Sequence, residues 1–311
     1  MGIHDDPSDT APACAWPADP DSCVSAPGLE RATSAALAPV LPIRPRGGRV
    51  DGIPLFCLSG EVGPAWHFAE LITVLEPRTP VYGLQTVPST PVARTVRDAA
   101  KDFLAEIRRI APQGPLQLLG WSAGGFVAHE LAVALRTAGR DVSVVLLDTD
   151  PAASGVRIPA AWSAGEYVHR FGALLGVDTG TTTLDATAAA AAMAAALAGT
   201  VELTGADLDR LADASHTALR RVVGHRPSLL PGELTVCVAG RHHDGTERPD
   251  PGAAVRNWRP YVTGTVTGLV LDATPEELIT PELFPEIADA LVSARIRGRG
   301  STSRDRRVPW R

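Results

Sequence analysis

Residues 118–131 read "LLGWSAGGFVAHEL" and carry the clearest structural signal in the chain. A short apolar run ends at Gly120 and an amphipathic segment follows Gly124, so the stretch predicts a strand that turns directly into a helix. The spacing G-x-S-x-G is typical of a sharp turn in which two glycines let the backbone hold a serine side chain above a sheet. Ser122 is therefore a candidate nucleophile, and a tight turn with an incidental serine is the alternative.

The segments on either side of this turn alternate between strand and helix patterns. Two amphipathic segments, 96–110 and 125–139, have the period of a helix. Short apolar runs bounded by turn residues are typical of buried parallel strands. The chain contains six of them: "IPLFCL" (53–58), "PVYGL" (80–84), "LQLLGW" (116–121), "VSVVLLD" (142–148), "ELTVCVA" (233–239) and "TVTGLVL" (265–271). The alternation predicts an α/β fold with a mostly parallel, doubly wound sheet.

The alternation stops after Asp148. Residues from about 150 to 230 contain helical patterns and no convincing strand. A helical insertion at the carboxyl edge of a parallel sheet is where a lid over a site belongs, so we predict a helical lid. The sequence further predicts a disordered arm over residues 1–40, the folded domain over 41–293, and a disordered, arginine-rich tail over 294–311.

The composition argues against several classes of protein. Of the 311 residues, 45% are hydrophobic and 21% are charged, which is typical of a globular domain. No apolar run approaches the roughly 20 residues needed to span a bilayer. The acidic start "MGIHDDPSDT" is unlike a secretory signal, so we expect a cytoplasmic protein without a membrane partner. A net charge of -6 gives no reason to expect nucleic acid, and the four cysteines lack metal-ligand spacing, so no metal is expected.

Groups near Ser122 in the predicted fold are candidates for supporting roles. Ala123 begins the predicted helix, where its amide can donate to a developing oxyanion. The loop "LSGEVGPAWHF" (58–68) follows the first predicted strand, and its backbone amide near Glu61 is a candidate second donor. Asp148 ends the strand that follows the serine turn, where an acid can orient a base; capping the first turn of the lid is its alternative role.

These motifs resemble the type I thioesterase domains that release products from nonribosomal peptide synthetases, especially those of siderophore assembly. The resemblance runs from about Leu41 to Leu291 and rests on "LPIRPRGG" with "PLFCLSG", on "PVYGLQT", on "LLGWSAGGFVAHELAVALRTAGRDVSVVLLDTDP" and on "NWRPYVTGTV". It implies an α/β-hydrolase fold with an inserted lid. It also implies that Ser122 is the nucleophile, that Asp148 is the acid, and that the Glu61 and Ala123 amides are the oxyanion donors.

Two positions depart from that family. Its members typically carry His-Pro where this chain has Ser59-Gly60, which alters the first oxyanion loop. The family's catalytic histidine follows the last strand, and the register set by "NWRPYVTG" and Pro281 puts Pro275 at that position. Proline cannot accept a proton from a serine, so the predicted site has a nucleophile and an acid but no assigned base.

Three other side chains are candidates for the missing base. The stretch "TPEE" (274–277) reads as a helix start with a capping box, in which the ordinary role of Glu277 is to bond the cap amide. His242 and His243 follow a predicted strand in "GRHHDG", at the carboxyl end of the sheet. Either histidine reaches Ser122 if the loop curls inward, and a surface loop is the alternative.

The resemblance predicts an enzyme of natural-product assembly. It would accept an acyl chain from the phosphopantetheine arm of a carrier protein onto Ser122, and then release, cyclise or transfer it. It would act in trans and need no cofactor of its own. A second hypothesis is a thioesterase-like protein that does not hydrolyse: a carrier-binding chaperone, or a cyclase that uses the carboxylates of Glu61 or Glu276 without an acyl-enzyme. An ordinary esterase is a third.

Overall fold

The computed structural model describes residues 37–87, 94–152, 161–175, 177, 184–196 and 203–304. These residues form a seven-stranded sheet: β1 (Val40–Arg44), β2 (Leu55–Leu58), β3 (Val81–Leu84), β4 (Leu116–Trp121), β5 (Val142–Leu147), β6 (Leu234–Ala239) and β7 (Val266–Leu271). The spatial order is β1-β3-β2-β4-β5-β6-β7. All neighbours are parallel except β1, which runs antiparallel to β3. The mostly parallel sheet predicted from the sequence is confirmed.

The strands are connected mainly by helices. The α-helices in the described residues are α1 (Val96–Ile110), α2 (Ala123–Thr137), α3 (Ala164–Phe171), α4 (Ala186–Ala196), α5 (Gly205–Val222), α6 (Gly252–Trp258) and α7 (Phe284–Arg304). Shorter 3₁₀ segments are Gly60–Val62, Trp66–Thr73, Gly172–Leu175, Arg259–Tyr261, Glu277–Ile279 and Pro281–Leu283. Helices α3, α4 and α5 lie between β5 and β6 in the chain, so the described part of the predicted lid is helical.

Helices cover both faces of the sheet. Successive residues of a strand point to opposite faces, so each central strand contributes to two cores. In β4, Leu118 packs in one core with Phe103 of α1, while Leu119 packs in the other with Tyr167 of α3 and Ile287 of α7. This arrangement explains why the central strands read as continuous apolar runs instead of alternating ones.

The two edges of the sheet differ from the prediction. β1 was not predicted as a strand, because "VLPIR" contains a proline. In the structure most of its residues are half-buried. β7 was expected to be a buried strand, but it lies at the other edge, where Val270 is 47% exposed. An edge strand has a neighbour on one side only, and the apolar pattern of β7 does not reveal that.

The carboxyl-terminal boundary also needs correction. Helix α7 runs to Arg304 and so enters the segment for which a disordered tail was predicted. Contacts with the rest of the domain explain the longer helix: Ala294 is buried, and Arg297 Nη2 donates to Thr235 Oγ1 of β6 at 3.0 Å. The predicted arm up to residue 36 and the tail beyond residue 304 lie outside the described residues.

The buried cysteines and the length of the helices complete the description of the fold. Cys57 and Cys237 are buried free thiols in β2 and β6, and burial raises the pKa of Cys237 to about 12. None of the helices in the described part of the chain has both the length and the apolar character that crossing a bilayer requires.

Candidate active site

The strand β4 and the helix α2 meet at a strained turn. Ser122, between them, has φ 50° and ψ -122°, a conformation that L-residues rarely adopt. Both flanking glycines are required by close packing. A Cβ on Gly120 would lie 2.6 Å from the Gly125 Cα, and a Cβ on Gly124 would lie 2.6 Å from the Leu58 carbonyl oxygen. The predicted strand–serine–helix turn is confirmed.

The loop after β2 packs directly against this turn. Gly60 has φ 64°, and a Cβ at this position would lie 2.5 Å from the Trp121 carbonyl oxygen. Ser59 is buried, and its hydroxyl donates to the Gly63 carbonyl at 2.5 Å. The Ser59-Gly60 pair therefore lets the 3₁₀ segment Gly60–Val62 approach the serine more closely than a residue with a side chain at position 60 would allow.

The Glu61 side chain, and not only its amide, faces the nucleophile. The Ser122 hydroxyl donates to Glu61 Oε1 at 2.8 Å, and the Ala123 amide donates to Glu61 Oε2 at 3.3 Å. Glu61 is 8% exposed. Burial is the largest influence on this carboxyl and raises its pKa, although hydrogen bonds from its own amide, Ser122 and Ala123 and the charge of Arg170 act in the opposite direction. Both predicted oxyanion donors thus contact the Glu61 carboxylate.

The Asp148 carboxylate has a cationic partner. Asp148 follows β5 with φ 44° and accepts two hydrogen bonds from the Arg248 guanidinium, at 2.6 Å from Nη1 and 2.8 Å from Nη2. The Ala239 amide also donates to Asp148 Oδ1, at 3.2 Å. Its alternative role was to cap the first turn of the lid; in the described residues, the Ala152 amide donates to Asp150 Oδ1, at 2.9 Å, and not to Asp148. That Asp148 orients a base stays a prediction.

The two candidate histidines lie in a turn after β6. His243 Nδ1 is 2.6 Å from Glu276 Oε1, and the carboxylate raises the pKa of His243 although desolvation opposes the shift. His242 is exposed, and its amide donates to the Thr246 carbonyl at 2.7 Å. Among the described residues, neither imidazole makes a hydrogen bond to Ser122. The interpretation of this segment as a surface loop therefore fits the structure better than an inward turn.

The loop that carries Pro275 touches the serine turn. Pro275 is buried, and its carbonyl accepts a hydrogen bond from Trp121 Nε1 at 2.8 Å. The Thr274 amide donates to Glu277 Oε2 at 2.7 Å, and the Glu277 amide donates to Thr274 Oγ1 at 3.4 Å, which confirms the predicted capping box. The helix that follows is only the 3₁₀ segment Glu277–Ile279. Glu277 is exposed and engaged at the cap, so it does not replace the histidine.

The lid holds the Glu61 loop in place through two hydroxyl groups. Tyr167 of α3 donates to the Val62 carbonyl at 2.6 Å, and Ser215 of α5 donates to the Glu61 carbonyl. Both side chains are buried. Sequence reasoning missed these residues and Arg248, because each lies 100 or more positions from its partner and sits in an ordinary helix or loop pattern.

The described residues include no group of three or more histidine, cysteine or acidic side chains that is arranged to hold a metal ion. The polar groups around Ser122 are a carboxylate, backbone amides and the nearby Arg170 guanidinium, whose charge lowers the pKa of Glu61. Such a set can move a proton and stabilise a negative charge on oxygen.

Comparison with known proteins identifies the family. The model of the thioesterase domain family matches residues 53–292, which include the serine turn, the lid and the Pro275 loop. This chain belongs to the thioesterase domain family. The match confirms the resemblance that the motifs around Ser122 indicated.

Relatives of this thioesterase-family chain are large synthetases. It is 28% identical over 271 residues to the dimodular nonribosomal peptide synthase of Bacillus subtilis (strain 168). That alignment covers 85% of this chain and 11% of the synthase. It is 31% identical over 298 residues to the probable non-canonical nonribosomal peptide synthetase CymA of Salinispora arenicola (strain CNS-205), covering 88% of this chain and 4% of that protein. The chain therefore spans only a small part of these relatives.

Solved thioesterase domains share the fold. The Vlm2 thioesterase domain superposes with a TM-score of 0.62 at 18% identity, covering 82% of this chain and 96% of that one. The thioesterase domain that cyclises the lipopeptide antibiotic surfactin gives a TM-score of 0.52 at 19% identity, covering 78% of this chain and 91% of that one. The α/β-hydrolase fold expected for this thioesterase-family chain is confirmed.

Proposed function

We propose that this chain accepts an acyl or peptidyl group from a carrier-protein thioester onto Ser122, and then releases, cyclises or transfers it in nonribosomal peptide or polyketide assembly. The observation that carries the proposal is Ser122 itself, held at φ 50° and followed directly by α2. The strained turn presents the hydroxyl, and the positive end of the helix dipole favours negative charge beside it. The similarity to peptide synthetases supports the substrate class.

In this proposal the substrate arrives on the phosphopantetheine arm of a carrier protein or domain, and the chain needs no cofactor of its own. Ser122 Oγ forms an ester with the acyl group, and the thiol of the arm leaves. The Ala123 amide, the first of α2, donates to the oxyanion that develops at the acyl carbon. The reaction would take place in the cytoplasm, as predicted from the sequence.

Intact-mass spectrometry of the protein tests the proposal. The protein is incubated with a panel of aminoacyl and fatty-acyl N-acetylcysteamine thioesters, which carry the reactive end of the phosphopantetheine arm. We expect an added acyl mass that peptide mapping places on Ser122 and that is absent from Ser122→Ala. Ser228→Ala is the matched control, because its hydroxyl also donates to a glutamate, Glu130 Oε2, at 2.8 Å but lies outside the strand–serine–helix turn.

Two results would contradict the proposal in different ways. Full turnover by Ser122→Ala would show a cyclase that works without an acyl-enzyme. Tight binding of an acylated carrier protein with no adduct and no turnover, in the wild type as in Ser122→Ala, would show a carrier-binding chaperone. The family membership favours the covalent enzyme over both alternatives.

A further inference from the structure

We propose that the Glu61 carboxylate is the general base for Ser122, in the role that the family gives to histidine. The inference rests on the proposed function, because it assigns the proton in the same acyl transfer. It starts from the contact between the two side chains: Ser122 Oγ donates to Glu61 Oε1 at 2.8 Å, within the range over which a base takes a proton directly.

The other acidic groups near the site are occupied elsewhere. The Asp148 carboxylate accepts both ends of the Arg248 guanidinium fork. Glu276 is paired with His243. Among the described residues, the hydrogen bond of the Ser122 hydroxyl goes to Glu61. The resemblance puts Pro275 at the position of the family's histidine, and the carboxylate that touches Ser122 directly is the group placed to act in its stead.

The surroundings of Glu61 suit a general base better than do the surroundings of Glu130, a carboxylate with a structural role. Glu130 makes a similar contact, since its Oε2 accepts from the Ser228 hydroxyl at 2.8 Å. Burial is the largest influence on Glu130 and acts to raise its pKa, but the His225 imidazole 3.3 Å away, hydrogen bonds from Ser228 and the charge of Arg97 together lower it to about 2. At Glu61 burial prevails and raises the pKa, which makes the carboxylate a stronger proton acceptor.

The lid fixes the backbone that carries this base. The Ser215 hydroxyl bonds the carbonyl of Glu61, and the Tyr167 hydroxyl bonds the next carbonyl, that of Val62, at 2.6 Å. Both hydroxyl donors are buried, so they hold the loop without competition from water. The carboxylate is therefore positioned from two sides, by the lid through its backbone and by the serine turn through its side chain.

The two contacts of the carboxylate differ in strength, and the difference allows the reaction. Oε1 lies 2.8 Å from Ser122 Oγ, whereas Oε2 lies 3.3 Å from the Ala123 amide. The longer bond is the weaker one. The Ala123 amide is therefore the donor that a substrate carbonyl displaces more readily, while Oε1 keeps its contact with the serine hydroxyl.

The proton and electrons then balance over two half-reactions. Ser122 Oγ bonds to the thioester carbon as its proton passes to Glu61 Oε1, and the carbonyl π pair moves onto oxygen, facing the Ala123 amide. Collapse of this intermediate breaks the C–S bond, and the leaving thiolate takes the proton from Glu61. In the second half, an amine, hydroxyl or water gives its proton to Glu61 as it bonds to the acyl carbon, and Ser122 Oγ leaves with that proton.

A fluorophosphonate probe tests this role without knowledge of the acyl substrate, because it labels an activated serine. The second-order labelling rate is measured by intact mass for the wild type, Ser122→Ala, Glu61→Gln and Glu61→Ala. General-base catalysis is worth about 10²- to 10⁴-fold, so we expect Glu61→Gln to label that much more slowly. Glu130→Gln is the matched control and should keep the wild-type rate. Thermal unfolding of each variant confirms that it is folded.

Two further readouts separate a base from a structural contact. The wild-type rate should rise as pH increases through one ionisation above 4.5, the ordinary value for the carboxyl, and Glu61→Gln should lack that step. Among the described residues, the charge of Arg170 in α3 acts on Glu61 and lowers its pKa, while the serine turn and α5 present neutral donors. Added formate should restore part of the labelling of Glu61→Ala, because a small carboxylate can enter the space left by the side chain.

The possible outcomes distinguish this inference from the proposed function. If Glu61→Gln labels as fast as the wild type or faster, Glu61 is not the base, and a faster rate would show that its carboxylate blocks the oxyanion site instead. Ser122 would then still be the nucleophile. If the wild type is not labelled, or Ser122→Ala is labelled equally, the covalent function itself fails, and the base assignment fails with it.

Discussion

Replacing Arg248 with methionine would measure how strongly the ion pair at the end of β5 stabilises the fold. The Arg248 guanidinium contacts both oxygens of Asp148, at 2.6 and 2.8 Å, and the exposed fractions of the two side chains are 20% and 12%. Methionine keeps most of the volume and removes the charge. The variant would leave the Asp148 carboxylate with the Ala239 amide, at 3.2 Å, as its remaining described donor.

The expected loss follows from the burial of the pair. Two unit charges about 4 Å apart attract by about 4 kcal/mol at an effective dielectric constant of about 20, before the cost of desolvation. Breaking a fully buried pair costs about 3–5 kcal/mol, and an exposed pair is worth less than about 1 kcal/mol. The pair Asp148–Arg248 is mostly buried. We therefore expect Arg248→Met to lower the free energy of unfolding by about 2–3 kcal/mol and Tm by about 4–12 °C.

The assay is urea unfolding followed by circular dichroism, with Tm from calorimetry. Arg241→Met is the matched control, because Arg241 makes the same two-bond contact with Asp272, at 2.8 Å each, from the same turn. Those side chains are 40% and 79% exposed, so this variant should unfold almost as the wild type does. The double variant Asp148→Asn, Arg248→Met should recover part of the lost stability, because no buried charge remains unpaired.

Two results would contradict this role of burial. If Arg248→Met loses no more stability than Arg241→Met, burial does not strengthen the pair. If the double variant is less stable than Arg248→Met alone, the unpaired Asp148 charge is not the source of the loss.

Two further predictions concern the turn after β6 and the loop after β2. Because Glu276 raises the pKa of His243, an NMR titration should place the His243 midpoint above 6.5, and Glu276→Gln should return it toward that value; any stability from protonated His243 is lost as pH rises through the midpoint. Gly60→Ala should lower Tm and slow the labelling of Ser122, and both effects should be larger than those of Gly114→Ala. Both glycines have positive φ, but only at position 60 would a Cβ meet backbone, 2.5 Å from the Trp121 carbonyl oxygen. Equal effects of the two substitutions would contradict this packing argument.

The fold was predictable from the sequence to the extent that its signals are local. The six apolar runs from "IPLFCL" to "TVTGLVL" all became strands, and the described part of the segment after Asp148 became helices. The edges of the sheet were harder to predict from the sequence. β1 pairs antiparallel with β3 although the proline in "VLPIR" weakens its strand signal, and β7 is partly exposed although its sequence "VTGLVL" was read as a buried strand. Position within a sheet depends on pairing with strands that lie far away along the chain.

The serine turn was predictable for the same local reason, because the two glycines that flank Ser122 in the sequence indicate a sharp backbone bend. That Pro275 stands where the resembling family carries its histidine stays a prediction; the structure shows that the Pro275 carbonyl contacts the Trp121 indole, beside the serine turn. The contacts of the acidic side chains could not be predicted from the sequence. Glu61 was predicted as a backbone donor and, in the second hypothesis, as a carboxylate of a cyclase, but the sequence offers no sign that this carboxylate contacts the serine hydroxyl.

The sequence by itself determined the strand–serine–helix turn, the helical lid and the absence of a histidine after the last strand, because each depends on residues adjacent in the chain. The tertiary structure alone decided which charges meet. Ser122 and Glu61 are 61 positions apart, and Asp148 and Arg248 are 100 positions apart. These contacts form because the parallel strands bring their carboxyl ends together at one edge of the sheet. The lid then buries the Glu61 loop, and that burial raises the pKa of its carboxyl.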